Sequence, residues 1–160
     1  MTLRRPVIDP FWERLPLAEL SAAQWEALCD RCGRCCLEKL TNRRNGKVYY
    51  TSIACTLLDT ASCQCRDYRH RRRTVPQCIQ LTPDNLRSGR WLPRTCAYRL
   101  LWEGKPLPAW HPLITGTPDS VHDAGISIRG RRLHAMPPHA DEIAAYIVDW
   151  GIWSNRARAD

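Results

Sequence analysis

Large apolar side chains are scarce in this chain. Of 160 residues only 32 are Leu, Ile, Val or Phe, with a single Phe and two Met. That fraction sits at the edge of the range below which charged chains fail to collapse, so an apolar core alone is insufficient. No stretch approaches the roughly 20 apolar residues of a membrane span. The opening from Met1 to Pro10 also lacks the apolar region of a secretory signal. The expectation is a soluble, cytoplasmic protein with no membrane partner. Fixed-period repeats and low-complexity tracts are missing, which sets aside solenoid, collagen and linker readings. Familiar catalytic signatures are missing as well. There is no Gly-x-Ser-x-Gly, Gly-rich phosphate loop or His-Glu-x-x-His, and Gly125-Ile-Ser-Ile-Arg129 lacks the second glycine. The histidines His70, His111, His122, His134 and His139 stand singly, as surface or core residues usually do. Slightly more weight falls on His111, between Trp110 and Pro112. No catalytic residue is assigned, and whether the protein is an enzyme stays open.

What the chain does have is cysteine. Nine are present, and seven lie between Cys29 and Cys65. They run Cys29-x-x-Cys32-x-x-Cys35-Cys36, then Cys55, then Cys63-x-Cys65, followed by Cys78 and Cys96. Burial preference disperses cysteines and does not generate such spacing. Thiols in the cytosol are held reduced, so metal ligation is a better account than a disulfide framework. A Cys-x-x-Cys step lets two thiolates reach one ion from a tight turn or helix end, as in zinc ribbons and ferredoxins. The ferredoxin likeness stops at Cys36, where a fourth cysteine follows at once and no proline comes after it. Adjacent side chains diverge by about 100° in a helix and about 180° in a strand. Cys35 and Cys36 are therefore expected to serve two neighbouring centres or different metals of one cluster. Eight thiols would fill two four-coordinate sites and leave one spare.

The formal net charge of +8 counts thiols as neutral. A zinc ion held by four thiolates carries net −2, and two such sites would bring the total to roughly +4. Arginine outnumbers lysine by 21 to 3. Arg31 and Arg34 sit inside the first cysteine motif, and Arg66, Arg69, Arg71, Arg72 and Arg73 follow Cys65. Guanidinium groups beside thiolates stabilise an anionic site. The alternatives are a plain solvated face and a nucleic-acid footprint at Arg69 to Arg73. The footprint is disfavoured because no paired Cys and His finger or aromatic RNA motif accompanies it. Asp59 and Asp67 either orient ligating loops or pair with arginine, with pairing the default.

Local patterns predict an α+β domain of short helices, a few short strands and irregular cysteine-bearing loops. Residues 1–20 form a proline-interrupted arm anchored by Phe11 and Trp12. Residues 21–104 form a metal-binding core, and 105–160 a C-terminal part of the same domain. Ser21 and Gln24 make a capping box for a helix in which Trp25, Leu28, Cys29 and Cys32 share one face. Gly33 lets the chain turn back. Asn45-Gly46 feeds a strand over 47–55 that delivers Cys55. Thr82-Pro83 starts a short helix closed by Gly89, and Cys96 to Glu103 is helical with Gly104 as the stop. Residues 126–129 and 132–135 alternate like paired short strands, and Asp141 to Trp150 has helical spacing.

These residues resemble the YkgJ/YcgN-type cysteine-cluster family of zinc- or iron-chelating domains. The resemblance rests on Cys29-Asp-Arg-Cys32-Gly-Arg-Cys35-Cys36, on Ala54-Cys55-Thr-Leu-Leu-Asp59, and on Cys63-Gln-Cys65-Arg-Asp-Tyr68 through to Cys78. The YcgN branch is closer still, through Trp91 to Leu101 and Leu107 to Leu113. Arg72 stands where the broader family usually has proline, and the segment before Cys78 is longer. The resemblance implies that Cys29, Cys32, Cys35, Cys36, Cys55, Cys65 and Cys78 ligate metal, and it places Cys63 and Cys96 in the narrower branch. Cys63 is taken as the eighth ligand, with Cys96 the competitor as either ligand or core residue. The implied cofactor is zinc or iron, an iron-sulfur cluster included, and the implied role is a metal-binding module or an iron-sulfur redox protein.

Overall fold

The computed structural model describes residues 9–137 and 139–150. The ends of the predicted arm and of the C-terminal part lie outside the described residues. The architecture is α+β, with short helices around two small antiparallel ribbons.

Helix α1 (Phe11–Arg14) buries Phe11 and Trp12 edge to face, their rings 5.2 Å apart, so the arm is anchored as expected. Helix α2 (Ala22–Ala27) starts on the predicted capping box. The Ser21 amide donates to Gln24 Oε1 at 2.9 Å, and the Gln24 amide donates to Ser21 Oγ at 3.2 Å. The helix stops sooner than its apolar face implies. Arg31 takes φ +60°, and the Cys32 amide donates to Asp30 Oδ1 at 2.9 Å. This aspartate turn competes with the helical ladder, so Cys29 and Cys32 sit in a loop and not on a helix. Gly33, at φ +76°, leads into a single 3-10 turn over Arg34–Cys36.

Strands β1 (Leu37–Thr41) and β2 (Val48–Ala54) pair antiparallel, with Thr41 opposite Val48 and Leu37 opposite Ala54 across a bulge. The Asn45-Gly46 turn joins them and Gly46 takes φ +68°. The Cys55 amide donates to the Cys36 carbonyl at 2.8 Å, so the ribbon delivers Cys55 next to the cysteine pair. Strands β3 (Leu58–Asp59) and β4 (Gln64–Cys65) form a second ribbon with Leu58 opposite Cys65. Asp59 Oδ1 accepts from the Ala61 and Ser62 amides at 2.8 and 3.0 Å. It therefore shapes the turn that carries Cys63, which is the orienting role and not the default arginine pair.

Helix α3 (Arg71–Thr74) precedes Cys78. The segment opened by Thr82-Pro83 is a 3-10 stretch running through Gly89 to Trp91. Helix α4 (Ala97–Trp102) has Cys96 at its N-cap and ends before Gly104 at φ +70°, as expected. Helices α5 (Pro112–Thr115) and α6 (Ser120–Asp123) follow.

The C-terminal part departs from expectation. Residues 126–129 are not a strand, and Ile128 is a core residue whose amide donates to the Cys32 carbonyl at 2.9 Å. His134 pairs with β2 at Ile53 instead of forming a hairpin with 126–129. Ala140–Tyr146 is 3-10 and lacks a side-chain cap. Ile147 then bridges to Thr51, and the Val148 amide donates to the Tyr50 carbonyl at 3.0 Å. The free edge of β2 takes the segment that an uncapped helix of under three turns cannot hold.

Buried apolar residues form two small clusters. One gathers Phe11, Trp12, Leu28, Leu86, Leu92, Ala97, Tyr98 and Leu107. The other gathers Leu37, Tyr50, Leu58, Cys63 and Ile128. A hydrogen bond from the Tyr50 hydroxyl to the Trp91 carbonyl ties them. A cavity of about 1560 Å³ is lined by members of both.

Candidate metal centre

All nine cysteines line that cavity. All nine are free thiols. They arrive from separate segments: Cys29 to Cys36 from the loop and 3-10 turn, Cys55 from the end of β2, Cys63 and Cys65 from the β3–β4 ribbon, Cys78 from the loop after α3, and Cys96 from the start of α4. No finished coordination shell stands ready, because no three Cys, His, Asp or Glu side chains converge closely enough among the described residues. The chain thus brings eight predicted ligands and Cys96 to one chamber without bringing their sulfurs to one point.

Cys35 and Cys36 come closest, with Sγ atoms 3.9 Å apart. The edge of a tetrahedral zinc–thiolate site with bonds near 2.3 Å is about 3.8 Å. On this 3-10 turn the two adjacent sulfurs lie at about that edge length, a spacing open both to one shared ion and to neighbouring metals of one cluster. The Cys35 charge also raises Cys29, Cys32, Cys36 and Cys96.

Cys29 and Cys35 are exposed to solvent while Cys32 and Cys63 are buried, and the crowded surroundings raise several of these thiols. Desolvation, followed by the neighbouring Cys35 and Asp30 charges, pushes the Cys29 thiol up to about 12. Desolvation likewise raises Cys32, with Asp30 and Cys35 adding to it. Cys96 is raised by desolvation and then by Asp30. Cys36 is raised by the hydrogen bond it gives Cys35 and by burial. Cys35 goes the other way. That same hydrogen bond, helped by the Lys39 ammonium, draws it down to about 7 against the effect of burial. A divalent cation reverses these signs, because it supplies the charge that the protein interior withholds.

Cys63 has different surroundings. It sits at φ +59°, packs in the second apolar cluster, and has Sγ 4.0 Å from the Thr60 carbonyl oxygen. Burial raises its thiol, while Arg129, the Ser127 hydroxyl and the Ile128 and Arg129 amides oppose that. Ser127 Oγ lies 2.7 Å from His122 Nδ1.

Two residues that sequence reasoning passed over complete the chamber. Lys39 donates to the Cys35 carbonyl at 2.7 Å and the Leu37 carbonyl at 2.6 Å. Its ammonium lies 5.2 Å from the Tyr50 ring and 5.5 Å from the Trp91 ring. Asp30 is buried inside the first Cys-x-x-Cys step, a position that could have marked it. Of the arginines, Arg34 is buried beside Trp150 and bonds the Ile126 carbonyl, and Arg71 stacks 4.1 Å from the Tyr68 ring. Tyr68 in turn donates to the Glu26 carboxylate at 3.0 Å. His111 is structural. Its Nδ1 accepts from the Leu113 amide and its Nε2 donates to the Leu28 carbonyl, both at 3.1 Å.

Among the described residues no helix is long and apolar enough to cross a membrane. Comparison with known proteins agrees with the chemistry of this donor set. Residues 28–97 match the CxxCxxCC family, described as "Putative zinc- or iron-chelating domain". A UPF0260 protein of Azotobacter vinelandii is 52% identical over 141 residues, covering 88% of this chain and 95% of that one. One of Sinorhizobium medicae is 50% identical over 151 residues, covering 94% and 97%. One of Rhizorhabdus wittichii is 57% identical over 121 residues, covering 76% and 83%. No solved structure matches. With half its residues identical over nearly its whole length to such relatives, the chain belongs to the UPF0260 family.

Proposed function

We propose that this chain holds zinc or iron through Cys29, Cys32, Cys35, Cys36, Cys55, Cys63, Cys65 and Cys78, and that the bound metal substitutes for a continuous apolar core. The observation that carries this reading is the meeting of nine free thiols from separate segments on one cavity between two small clusters. Thiolates select zinc, or iron in iron-sulfur clusters. When bound, the metal supplies the positive charge that gathered thiolates require. Lys39 and Arg34 supply part of the counter-charge.

In this reading residues 1–20 are an arm, 21–104 the metal-binding core and 105–160 its closing part. The packing of Phe11 and Trp12 in one cluster with Tyr98 and Leu107 supports a single unit. A cytoplasmic, reducing setting fits nine unpaired thiols.

The test is metal and acid-labile sulfide content, with an absorbance spectrum, on the full chain purified without oxygen. At least two equivalents of metal are expected, and less than one of any transition metal overturns the reading. Colourless protein containing zinc assigns a structural or chelating role. Brown protein containing sulfide, with absorbance that bleaches on reduction, assigns the iron-sulfur redox role.

A further inference from the structure

The Cys29 to Cys36 loop buries a carboxylate that the all-thiolate scheme leaves unused. Asp30 is 4% exposed. Its Oδ1 accepts the Cys32 amide at 2.9 Å, which fixes the side chain against its own turn. Its Oδ2 is buried with no hydrogen-bond partner among the described residues, and Asp30 lines the cysteine cavity. A native interior rarely leaves a carboxylate oxygen orphaned without an ion or ordered water to satisfy it. Neither His111 nor Arg34 makes a bond to Oδ2. His111 uses both ring nitrogens elsewhere, and the buried Arg34 Nη2 is itself unpartnered.

The thiols around Asp30 come from two segments. Asp30 shares the lining of the cavity with Cys29, Cys32 and Cys35 of its own loop and with Cys96 at the start of α4. Cys63 lines the same cavity from the β3–β4 ribbon, where Ser127, Ile128 and Arg129 surround its thiol.

We infer that Asp30 Oδ2 is a metal ligand, giving one centre of this protein a mixed sulfur and oxygen shell. The inference rests on the chelation reading above and deepens it. Carboxylate oxygen and thiolate sulfur both bind zinc-like ions, so one hard donor among soft ones is chemically sound. The conformation is prepared in advance, because the bond from Cys32 to Oδ1 leaves only Oδ2 free to turn to an ion.

Cadmium loaded into the full chain under reducing conditions gives one NMR resonance per bound ion. The position of each moves upfield as oxygen replaces sulfur in the shell. The native protein is expected to show one resonance upfield of the all-thiolate position. D30C should move that resonance downfield and leave the others in place. D30N keeps an oxygen for the Cys32 amide but removes the charge, and should weaken the binding of one cadmium ion at least tenfold. Resonances all at the all-thiolate position in the native protein overturn the inference and leave chelation standing. So does a D30C spectrum unchanged from native, or D30N binding every ion with native affinity. A chain that binds no cadmium overturns chelation and this inference together.

Discussion

Gly33 lies where the cysteine motif turns, and replacing it with alanine separates two costs. The first is conformational. Gly33 has φ +76°, and an L-residue in the left-handed region costs roughly 1–2 kcal/mol. The second is steric. A Cβ at Gly33 would lie 2.6 Å from Ile128 Cγ1, 3.1 Å from Ile128 Cδ1 and 3.3 Å from Cys63 Cβ. Ile128 is fully buried, so it cannot swing out to solvent, and overpacking of this kind costs about 1–3 kcal/mol. G33A should therefore lose about 2–5 kcal/mol, a large share of the roughly 5–15 kcal/mol that holds a domain folded. G46A and G104A are the controls, with φ of +68° and +70° and nothing within 4 Å of an added Cβ. They should lose the conformational part alone. Urea unfolding of the metal-loaded protein, extrapolated to water, measures all three. If G33A matches the two controls within about 0.5 kcal/mol, the error expected for independent sites, the packing argument around the motif is wrong.

Stripping metal with a chelator under reducing conditions should abolish the near-ultraviolet circular dichroism. Structural zinc contributes about 10–16 kcal/mol in small peptides, comparable with the roughly 5–15 kcal/mol of net stability that holds a domain folded, and an unchanged spectrum refutes the structural role of metal. Tyr50→Phe should cost about 1 kcal/mol in the same urea assay, because it removes the bond to the Trp91 carbonyl that ties the two clusters. His111 carries a pH signature. Burial lowers its folded-state pKa below the usual 6.5, so the unfolded chain takes up a proton first. Stability is then complete above about pH 6.5 and falls as the pH drops below that value. A melting temperature that does not decline from pH 6.5 downward counts against this placement.

The legible parts of the fold were those decided by neighbours in sequence. The Ser21 and Gln24 box, the Asn45-Gly46 turn, the Gly104 stop and the anchoring of Phe11 and Trp12 all rest on local chemistry or plain hydrophobicity. The helical face through Cys32 misled, because the Asp30 side chain offers the Cys32 amide a nearer partner than the helix does. The tail misled for a different reason. Ile147 and Val148 answer to the open edge of β2, nearly a hundred residues away in sequence. At the site, spacing pointed to metal ligation and the family resemblance named the candidate cysteines, with Cys96 left between ligand and core residue, and the fold brings all nine to the cavity. Spacing could not mark Asp30 or Lys39, whose importance lies in burial and in what they do or do not bond, both of which are tertiary properties. Spacing also did not foresee the single 3-10 turn that sets the Cys35 and Cys36 sulfurs 3.9 Å apart.

Gathering the donors from separate segments sets a timetable for the protein's birth. Synthesis runs at about 5–20 residues per second, so the motif ending at Cys36 is made roughly 2–8 seconds before Cys78 exists to join it. Throughout that interval four young sulfurs have no completed chamber around them, and the cell must shield them from oxidants and stray ions. A full set of donors can therefore close around an ion only once Cys78 has been made.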